Sequence, residues 1–582
     1  MARKPVSIQR VQRRWGAVVL LLLLAVFGAL GARLTYINTV LRPKLLQQAQ
    51  RQQHGATAIP ARRGMIFDAQ GRVLAASRQQ PDVFIDPARV EDIDALAAQL
   101  GPLLNIPAAQ IVEQVRQRPE SRFIVVARGV EAVDAEAVEA LRHPGVGLAE
   151  RSARTYPLGS SAVHVLGFVG ADGHGLEGIE LTLDEHLSGR DGRRATIRDA
   201  RRRPLWRAEE GSSPPVDGGH IVLTIDAEIQ RLTEEQLDQT ARKYSAESGV
   251  AIVVSPKTGA VLALASWPEF DPHHPQAVPP EHRRNRALTD PTEAGSTFKS
   301  FVVSGALAGG FVSTTEEINC HWGTYHVGRR LITDVHGYGK MTVQGIICKS
   351  SNIGMVQIAQ RMTREALYNT IRGFGFGEAT GIELPGEAPG QVYPLSKWTS
   401  YSATSLAMGY EVSVTPLQLV MAYAALANDG VLLRPRLVRA LLGPDGRVVQ
   451  SFDTPEVAGQ AIPREWARYV CRELLAGVVT PEGSGRQAQI PGYRVLGKTG
   501  TAKLPYPNHR GYEPGAYLSS FVGAAPVSDP EAVVLMMVRK PRASEAYYGG
   551  TVAAPAVGEV LKGVLAYLEI PPDKAEALAL AK

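Results

Sequence analysis

Residues 295–307 read GSTFKSFVVSGAL, and this stretch places a helix in the middle of the chain. After Gly295 and Ser296, apolar side chains recur at the spacing of one helix face: Phe298, Phe301, Val302 and Leu307. Helical patterns then continue to about residue 430. The fold is therefore decided by the elements that flank this helical region on each side.

Strand patterns flank this helical region on both sides. A strand at residues 220–225 leads into a helix from Ala227, and apolar runs at 250–255 and 260–266 enclose a tight turn at 256–259. Further strands are predicted at three later places: residues 493–496, 519–522 and 533–538. Strands, then helices, then strands within one unit predict an α+β domain built on an antiparallel sheet.

The start of the central helix brings together two reactive groups. Positions i and i+3 of a helix lie on one face, so Lys299 can reach the hydroxyl of Ser296. Serine is a poor nucleophile without an adjacent base, and lysine is a base only where its ammonium form is disfavoured. We therefore take Ser296 as a candidate nucleophile and Lys299 as its general base. For this S-x-x-K motif alone, a helix-capping serine beside a solvated lysine is the commoner outcome.

Ser350-Ser351-Asn352 forms an S-x-N motif downstream. The hydroxyl of Ser350 fits a proton shuttle between Lys299 and a leaving group. The amide of Asn352 fits an anchor for a substrate backbone or for the lysine. Taken alone, the same three residues could simply cap a helix.

Residues 498–501 read Lys-Thr-Gly-Thr and lie on the strand predicted from Tyr493. A strand beside a nucleophile can bind an extended peptide by main-chain pairing. Gly500 lets a ligand approach the backbone closely. Lys498 and Thr501 can attract a carboxylate. The motif therefore predicts the substrate-binding wall of the site.

Lys257-Thr258-Gly259 repeats the K-T-G pattern upstream of Ser296. It occupies the predicted hairpin turn and continues with Ala260 rather than a hydroxyl residue. We interpret it as structural, so the order and context of the motifs carry the prediction.

The N-terminus carries an export signal. Basic residues precede an uncharged stretch, 15–32, which Arg33 closes: Arg3, Lys4, Arg10, Arg13 and Arg14. As a helix the stretch would rise roughly 27 Å, close to the thickness of a bilayer core. The positive charge before it places the N-terminus in the cytoplasm and the rest of the chain outside. We favour an uncleaved anchor; the alternative is a signal peptide cleaved near the small residues 29–32.

The length of 582 residues exceeds one ordinary domain, and 45% hydrophobic with 21% charged residues is typical of globular proteins. The net charge of +6 does not demand a nucleic-acid partner.

Residues 188–217 are too polar to form a core, so we place a boundary near 215. The predicted divisions are a cytoplasmic tail (1–14), a transmembrane anchor (15–36), a stalk (37–57, helical where it leaves the membrane), a β-rich pedestal (58–215), a catalytic domain (216–572) and a tail (573–582). Within the pedestal, residues 63–75 predict a hairpin and residues 88–118 a helix.

Three cysteines, Cys320, Cys348 and Cys471, form no CxxC pair and lack histidine-rich spacing around them, so a zinc site is not indicated. Cys320 could pair with Cys348 in an exported protein. Buried, inert thiols are the interpretation we favour.

With these residues in place, the chain resembles class B penicillin-binding proteins, and is most similar to the cell-division transpeptidases of Gram-negative bacteria. Beyond the three motifs, the resemblance rests on short matches in one order along the chain: Arg63-Gly64 with Asp68 and Gly71, residues 154–157, His164 with Gly167, residues 175–178, 223–230, 285–287, 414–419 and 549–555. Two positions depart from the family pattern. Ala294 stands where proline is common, and Glu411 stands where glycine is expected.

The resemblance implies a five-stranded antiparallel sheet flanked by helices, preceded by a transmembrane helix and a non-catalytic pedestal. It implies that Ser296 attacks the D-Ala–D-Ala bond of a peptidoglycan stem peptide, with Lys299 as base, Ser350 as shuttle and Asn352 as a positioning group. Lys498, a catalytic residue, and Thr501 would hold the substrate carboxylate, and Thr499 and Gly500 would complete the substrate-binding residues. The backbone N–H groups of Ser296 and Thr501 would form an oxyanion hole. β-Lactams would acylate Ser296. No metal or organic cofactor is implied.

Other functions share these motifs. An elongation-type transpeptidase, a D,D-carboxypeptidase or a β-lactamase would use the same fold, although Ser350-Ser351-Asn352 favours the division type and the anchored pedestal argues against a lactamase. A β-lactam sensor or a scaffold without turnover is the alternative from another class. The resemblance further implies an inner-membrane protein with a periplasmic catalytic domain, whose partners are a membrane-embedded glycan polymerase and other division proteins.

Overall fold

The computed structural model describes residues 8–198, 204–506, 508–509, 511–542 and 546–573. These residues form two compact units. The first comprises the described residues of Met1–Ala61 and Arg190–Val216, and the second those of Arg62–Gly189 and Asp217–Lys582. The domain limits given above stay a prediction.

A long helix dominates the first unit. Ile8–Tyr36 continues through a π-helical turn, Ile37–Leu41, into the helix Arg42–Gln53. Among the described residues, one helical stretch, Ile8–Gln47, is long and apolar enough to cross a membrane by length and composition. The backbone therefore has the form expected of a helical anchor followed by a helical stalk.

A three-stranded antiparallel sheet completes the first unit. His54–Ile59 pairs with Gly192–Arg198, which pairs with Pro204–Ser213. The polar composition of residues 188–217 did not indicate these strands. Ladder hydrogen bonds come from the backbone, so a stretch rich in arginine and glycine can form strands without a wide apolar face.

Residues 62–189 of the second unit mix strands and helices. The predicted hairpin is confirmed as Ile66–Phe67 paired with Val73–Ile85, around a turn in which Gly71 has a φ of 81°. The predicted helix is realised as two, separated at Asn105, which caps the first with a φ of 52°. The helices of this region are Ile93–Leu104, Ala108–Arg116, Ala132–Ala140, Val163–Leu166, Gly178–Thr182 and Asp184–Ser188.

A seven-stranded sheet joins this region to later parts of the chain. Its strands are Ile66–Phe67, Val73–Ile85, Ile124–Ala127, Val146–Thr155, His220–Leu223, Val438–Leu442 and Val448–Ser451. Ile66–Phe67 pairs in parallel with His220–Leu223, and the neighbouring pairs are antiparallel.

The sheet that positions the site has five strands. They are β1 (Ser248–Val254), β2 (Val261–Trp267), β3 (Leu496–Pro505), β4 (Tyr512–Ala525) and β5 (Ala532–Arg539). Their order is β2-β1-β5-β4-β3 and every neighbouring pair is antiparallel. This arrangement confirms the predicted α+β fold. β3 lies at one edge and, among the described residues, pairs only with β4.

Helices cover both faces of this sheet. The ones used below are α1 (Ala227–Lys243), α2 (Lys299–Ala308), α3 (Val343–Lys349), α4 (Asn352–Arg361), α5 (Pro416–Ala427) and α6 (Ala554–Tyr567). Side chains alternate across a strand, so Ile252 enters the core that contains Phe298, whereas Val253 enters the core of Leu237 and Leu561. Burial on both faces explains the continuous apolar run of β1.

Shorter elements fill the helical region and the edges of the second unit. The helices are Pro280–Arg283, Arg286–Thr289, Arg364–Gly373, Ser402–Ala407, Arg464–Tyr469, Ala476–Val478 and Gly549–Val552. The strands are Thr292–Glu293, Glu317–Asn319, Thr324–Val327, Arg330–Thr333, Lys340–Thr342, Gln391–Val392, Val412–Val414, Val431–Leu433 and Val457–Gln460.

Candidate active site

Distant parts of the chain line one cavity of about 600 Å³. Its lining includes most of the residues singled out in the sequence: Ser296, Ser350, Asn352, Thr499, Gly500 and Thr501. Lys299 and Lys498 do not line it, because each is buried with 0% of its surface exposed. The structure thus brings the three motifs together, with their two lysines behind the wall of the cavity.

Ser296 stands in a 3₁₀ turn, Gly295–Phe298, that leads directly into α2. The Lys299 N–H donates to the Ser296 carbonyl, so the two residues are one turn apart as predicted. Gly295 has a φ of 56°, and a Cβ at this position would lie 3.3 Å from the Thr501 carbonyl oxygen. The freedom of glycine therefore lets the segment that carries Ser296 lie directly beside β3.

Lys299 reaches the second motif. Its Nζ donates to the Ser350 carbonyl at 2.7 Å and to Asn352 Oδ1 at 2.7 Å, and it lies 3.4 Å from Ser350 Oγ. Burial lowers the pKa of Lys299 to about 7, while the carboxylate of Asp334 acts in the opposite direction. A lysine with such a pKa is neutral in a substantial fraction of molecules at neutral pH and can act as a base.

Ser350 occupies a sharp break between two helices. It ends α3 with a φ of 60°, and Ser351 caps the start of α4 by accepting from the Gly354 N–H. Asn352 Nδ2 donates to the Thr333 carbonyl at 2.9 Å, which turns Oδ1 towards Lys299. The motif therefore caps a helix and, at the same time, faces Lys299.

Lys498 approaches Ser350 from β3. Its Nζ donates to Ser350 Oγ at 2.9 Å and to the Thr499 carbonyl at 3.1 Å. Burial, and then the charge of Lys299, hold the pKa of Lys498 well below its usual value. The carboxylate-binding role expected of Lys498 from the sequence stays a prediction; the structure shows its Nζ facing the Ser350 hydroxyl.

The rest of the third motif forms the cavity wall. Thr501 Oγ1 accepts from the Gly549 N–H at 3.1 Å. A Cβ on Gly500 would lie 2.2 Å from Ser520 Oγ and 2.8 Å from Thr297 Cγ2. The structure thus gives a reason for this glycine that the sequence did not, since its missing side chain lets β3 pack closely against Thr297, in the turn that carries Ser296.

Asp334 belongs to the site, and sequence reasoning missed it. Its carboxylate accepts from Ser351 Oγ and from the Asn352 N–H, each at 2.5 Å, and from the Ile353 N–H at 3.2 Å. It lines the cavity and holds the start of α4 in place. No local pattern marks it, because it lies in a loop after the strand Arg330–Thr333 and meets α4 only in the fold.

An aromatic wall was also missed. The Tyr517 and Tyr547 rings stack with centroids 4.2 Å apart, and the Tyr547 and Tyr548 rings stack at 4.4 Å. All three line the cavity. Isolated tyrosines in a strand and in the segment before Gly549 carry no sequence signal of this stack.

Glu411, one of the two departures from the family pattern, adopts a φ of 58°. This is the left-handed region that glycine tolerates best, which explains the expectation of glycine. Ser405 Oγ donates to Glu411 Oε1 at 2.7 Å, and the Glu411 N–H donates to Glu293 Oε1 at 3.2 Å. The side chain therefore forms local contacts of its own in the loop after Gly409.

The upstream K-T-G, Lys257-Thr258-Gly259, lies away from the cavity. Lys257 Nζ pairs with Asp529 Oδ2 at 2.7 Å and with Glu531 Oε1 at 2.5 Å, and Gly259 takes a φ of 70° in the turn between β1 and β2. None of the three residues lines the cavity. Their contacts match the structural role inferred from context.

The three cysteines are free thiols. Cys320 and Cys471 are buried and Cys348 is half-buried. Burial raises the pKa of each thiol, to about 12 for Cys471, which disfavours the reactive thiolate.

The arrangement can carry out acyl transfer. A hydroxyl at the cavity wall, a buried lysine with a pKa near 7 and a second hydroxyl between two lysines supply a nucleophile, a base and a route for a proton. The edge strand beside them supplies main-chain groups for an extended peptide.

The chain is similar to known proteins along most of its length. Residues 249–562 match the family model of the penicillin-binding protein transpeptidase domain, and residues 58–223 match that of the penicillin-binding protein dimerisation domain. Peptidoglycan D,D-transpeptidase FtsI of Escherichia coli is 34% identical over 558 residues, 95% of this chain and 91% of its own. The probable peptidoglycan D,D-transpeptidase PbpC of Pseudomonas aeruginosa is 34% identical over 97% of both chains.

A solved structure shows the same fold. Penicillin-binding protein 3 of Mycobacterium tuberculosis, complexed with aztreonam, superposes with a TM-score of 0.69 at 27% identity, covering 89% of this chain and 98% of that one. With matches to both domain models and to relatives along nearly its full length, the chain belongs to the class B penicillin-binding proteins and is similar to their FtsI-type members.

Proposed function

We propose that this protein is a peptidoglycan D,D-transpeptidase of the septal cell wall, a serine acyltransferase that β-lactams inhibit. The observation that carries the proposal is the position of the Ser350 hydroxyl, 3.4 Å from Lys299 Nζ and 2.9 Å from Lys498 Nζ, at the cavity that Ser296 lines. The FtsI name of the relatives, which match along 95% of this chain, supports the septal role.

In the first step, Ser296 Oγ attacks the carbonyl carbon of the D-Ala–D-Ala bond. Lys299 takes the hydroxyl proton, which the buried neutral amine can accept because its pKa is near 7. The proton passes through Ser350 Oγ to the departing amine of the terminal D-alanine. The C–N bond breaks, an ester forms on Ser296, and D-alanine leaves.

In the second step, an amine of a neighbouring stem peptide attacks the ester. Its proton returns by the same groups to Ser296 Oγ, the ester bond breaks and a new amide bond joins the two strands. Lys498 keeps Ser350 oriented in both steps through its 2.9 Å hydrogen bond. Asn352 holds Lys299 through its Oδ1.

The donor peptide extends along the open edge of β3, with its terminal carboxylate held by Lys498 and the hydroxyl of Thr501. The backbone N–H groups of Ser296 and Thr501 form the oxyanion hole. The close approach of Gly295 to the Thr501 carbonyl supports this pairing of segments. Gly500 permits it by carrying no side chain between β3 and Thr297.

Residues 15–36, within the helical stretch Ile8–Gln47, anchor the protein in the inner membrane as a single span, with the N-terminus in the cytoplasm and the catalytic domain in the periplasm. The basic residues before the apolar stretch support this orientation. Residues 58–215 serve as the pedestal and 216–572 as the transpeptidase domain. The anchor and the pedestal bind a membrane-embedded glycan polymerase and other division proteins.

The experiment is acylation by a fluorescent penicillin. Full-length protein in detergent is incubated with the probe beside Ser296→Ala, and labelled bands are compared after denaturation. Ser451→Ala, which removes a hydroxyl from the exposed strand Val448–Ser451, is the matched control. Stable label on the parent and on Ser451→Ala, with none on Ser296→Ala, is the expected result.

Absence of label on a parent protein that is folded by circular dichroism would reject the proposal. Label that is rapidly lost would indicate a lactamase. Stable label without D-alanine release from a pentapeptide donor and an amine acceptor would indicate a sensor that does not turn over.

A further inference from the structure

The loop around Ser484 contacts the wall of the cavity that carries Ser350. The Ser484 N–H donates to the Cys348 carbonyl at 3.2 Å, and Lys349 Nζ donates to the Glu482 carbonyl at 2.7 Å. Both contacts are made to the last residues of α3, immediately before Ser350. The loop is thereby fixed to the segment that supplies Ser350, the proton shuttle of the proposed mechanism.

Ser484 also contacts the opposite wall of the cavity. Ser484 Oγ lies 3.0 Å from Thr499 Oγ1 on β3. A Cβ on Gly550 would lie 2.3 Å from the Ser484 carbonyl oxygen, so the loop is also pressed against the segment after Tyr548. Ser484 is half-buried and lines the cavity. It therefore bridges the two walls by its backbone on one side and its hydroxyl on the other.

The contact between Ser484 and Thr499 extends a series of hydrogen bonds that runs through Lys498 to Ser350. Lys498 Nζ donates to the Thr499 carbonyl at 3.1 Å and lies 3.5 Å from Thr499 Oγ1, besides its bond to Ser350 Oγ. Thr499 Oγ1 can present a lone pair to Lys498 only if its own hydrogen points elsewhere. Ser484 Oγ is placed to accept that hydrogen.

We infer that Ser484 is a positioning residue for acylation: it fixes the spacing of the two walls and the orientation of the Thr499 hydroxyl, and acts through Lys498 on Ser350. It touches no reacting atom. The inference rests on the proposed transpeptidase function, because it concerns the rate of the step that acylates Ser296.

The test compares Ser484→Ala with Ser484→Thr in full-length protein, using a fluorescent penicillin as probe. Thr480→Ala is the matched control, since Thr480 Oγ1 makes only a local contact to the Gly477 carbonyl in the same loop at 2.8 Å. We expect Ser484→Ala to lower the limiting acylation rate constant about tenfold, the typical effect of one lost hydrogen bond. Apparent affinity for the probe and the thermal midpoint should stay at parental values, and Ser484→Thr should restore the rate.

A double-mutant cycle with Thr499→Val gives the second measurement. If the two hydroxyls act as one unit, the double variant is no slower than the slower single variant. Effects that multiply would overturn the inference, and so would a folded Ser484→Ala with the rate of Thr480→Ala or a folded Ser484→Thr that is as slow as Ser484→Ala. If Ser484→Ala does not fold, Thr499→Val tests the same contact, and a parental rate in that variant overturns it. A parent that fails to label at Ser296 would instead reject the proposed function.

Discussion

Lys498 Nζ donates to Ser350 Oγ across 2.9 Å, and the two residues lie 148 positions apart in the chain. The contact links the edge strand β3 to the junction between α3 and α4. In the proposed mechanism it makes the third motif part of the proton route as well as part of the peptide-binding wall.

Replacement of Lys498 therefore has a clear expected effect. Lys498→Ala leaves the Ser350 hydroxyl without this donor, and we expect acylation by a fluorescent penicillin to slow by about a hundredfold or more. Lys257→Ala is the matched control from the upstream K-T-G, since its ammonium pairs with Asp529 and Glu531 away from the cavity. Equal rates for the two variants would show that the motif acts only through its backbone.

The rate of acylation should depend on the protonation of Lys299. Because burial lowers the pKa of Lys299 to about 7, the neutral form grows as the pH rises through this value. We expect the acylation rate constant to rise with a midpoint near pH 7 and to reach a plateau above it. Stopped-flow measurement across about pH 5 to 9 checks this, and a rate independent of pH in that range would contradict the assignment of Lys299 as base.

Asp334 tunes this midpoint. Its negative charge favours the charged form of Lys299, so Asp334→Asn should lower the pKa of Lys299 further and move the midpoint to lower pH. Glu482→Gln is the matched control, because Glu482 lines the cavity but does not contribute to the pKa of Lys299. An unchanged profile in a folded Asp334→Asn would show that Asp334 acts only by capping α4.

Backbone strain at Glu411 predicts which of two variants at this position has the higher thermal midpoint. Glu411→Ala and Glu411→Gly both lose the contact with Ser405, but only glycine is relieved at a φ of 58°. The left-handed conformation costs a non-glycine residue about 1 kcal/mol. We expect Glu411→Gly to have the higher thermal midpoint of the two variants. The opposite order would show that the loop after Gly409 changes its conformation when the side chain is removed.

His164 predicts an acid sensitivity of the fold. Burial lowers the pKa of His164 to about 4, below the unfolded value of about 6.5. The unfolded state therefore binds the additional proton between these values, and stability falls as the pH drops from about 6.5 to 4. His164→Asn, which cannot ionise, should lose less stability across that range than the parent in thermal unfolding followed by circular dichroism. Parallel profiles would assign the acid sensitivity to other groups.

The sequence predicted what depends on short-range pattern. Two apolar runs around a tight turn gave the hairpin of β1 and β2, and the motif spacing placed Lys299 one turn after Ser296. Boundaries were less exact: β3 starts at Leu496, whereas Tyr493 forms an isolated bridge with Ile490. Tyr493 and Val495 are of types favoured in strands, which explains the shift.

Contacts that arise only from packing could not be predicted. Asp334 meets the start of α4 because the fold returns a loop to it, and Ser484 meets Thr499 across the cavity. Neither residue has a neighbour in the chain that hints at its partner. The direction of the Lys498 side chain could not be predicted either, since a lysine on an edge strand could equally have faced solvent.

The position of β3 at the rim of its sheet bears on drug resistance. A ligand held by main-chain atoms of an edge strand is recognised through groups that no point mutation other than one to proline can delete. Escape from β-lactams must then arise at side chains around the strand, such as Tyr548 or Ser484, or by distortion of the strand itself. In the proposed mechanism the natural peptide uses the same edge, so a distortion that excludes the drug also weakens wall synthesis, and selection has to balance the two.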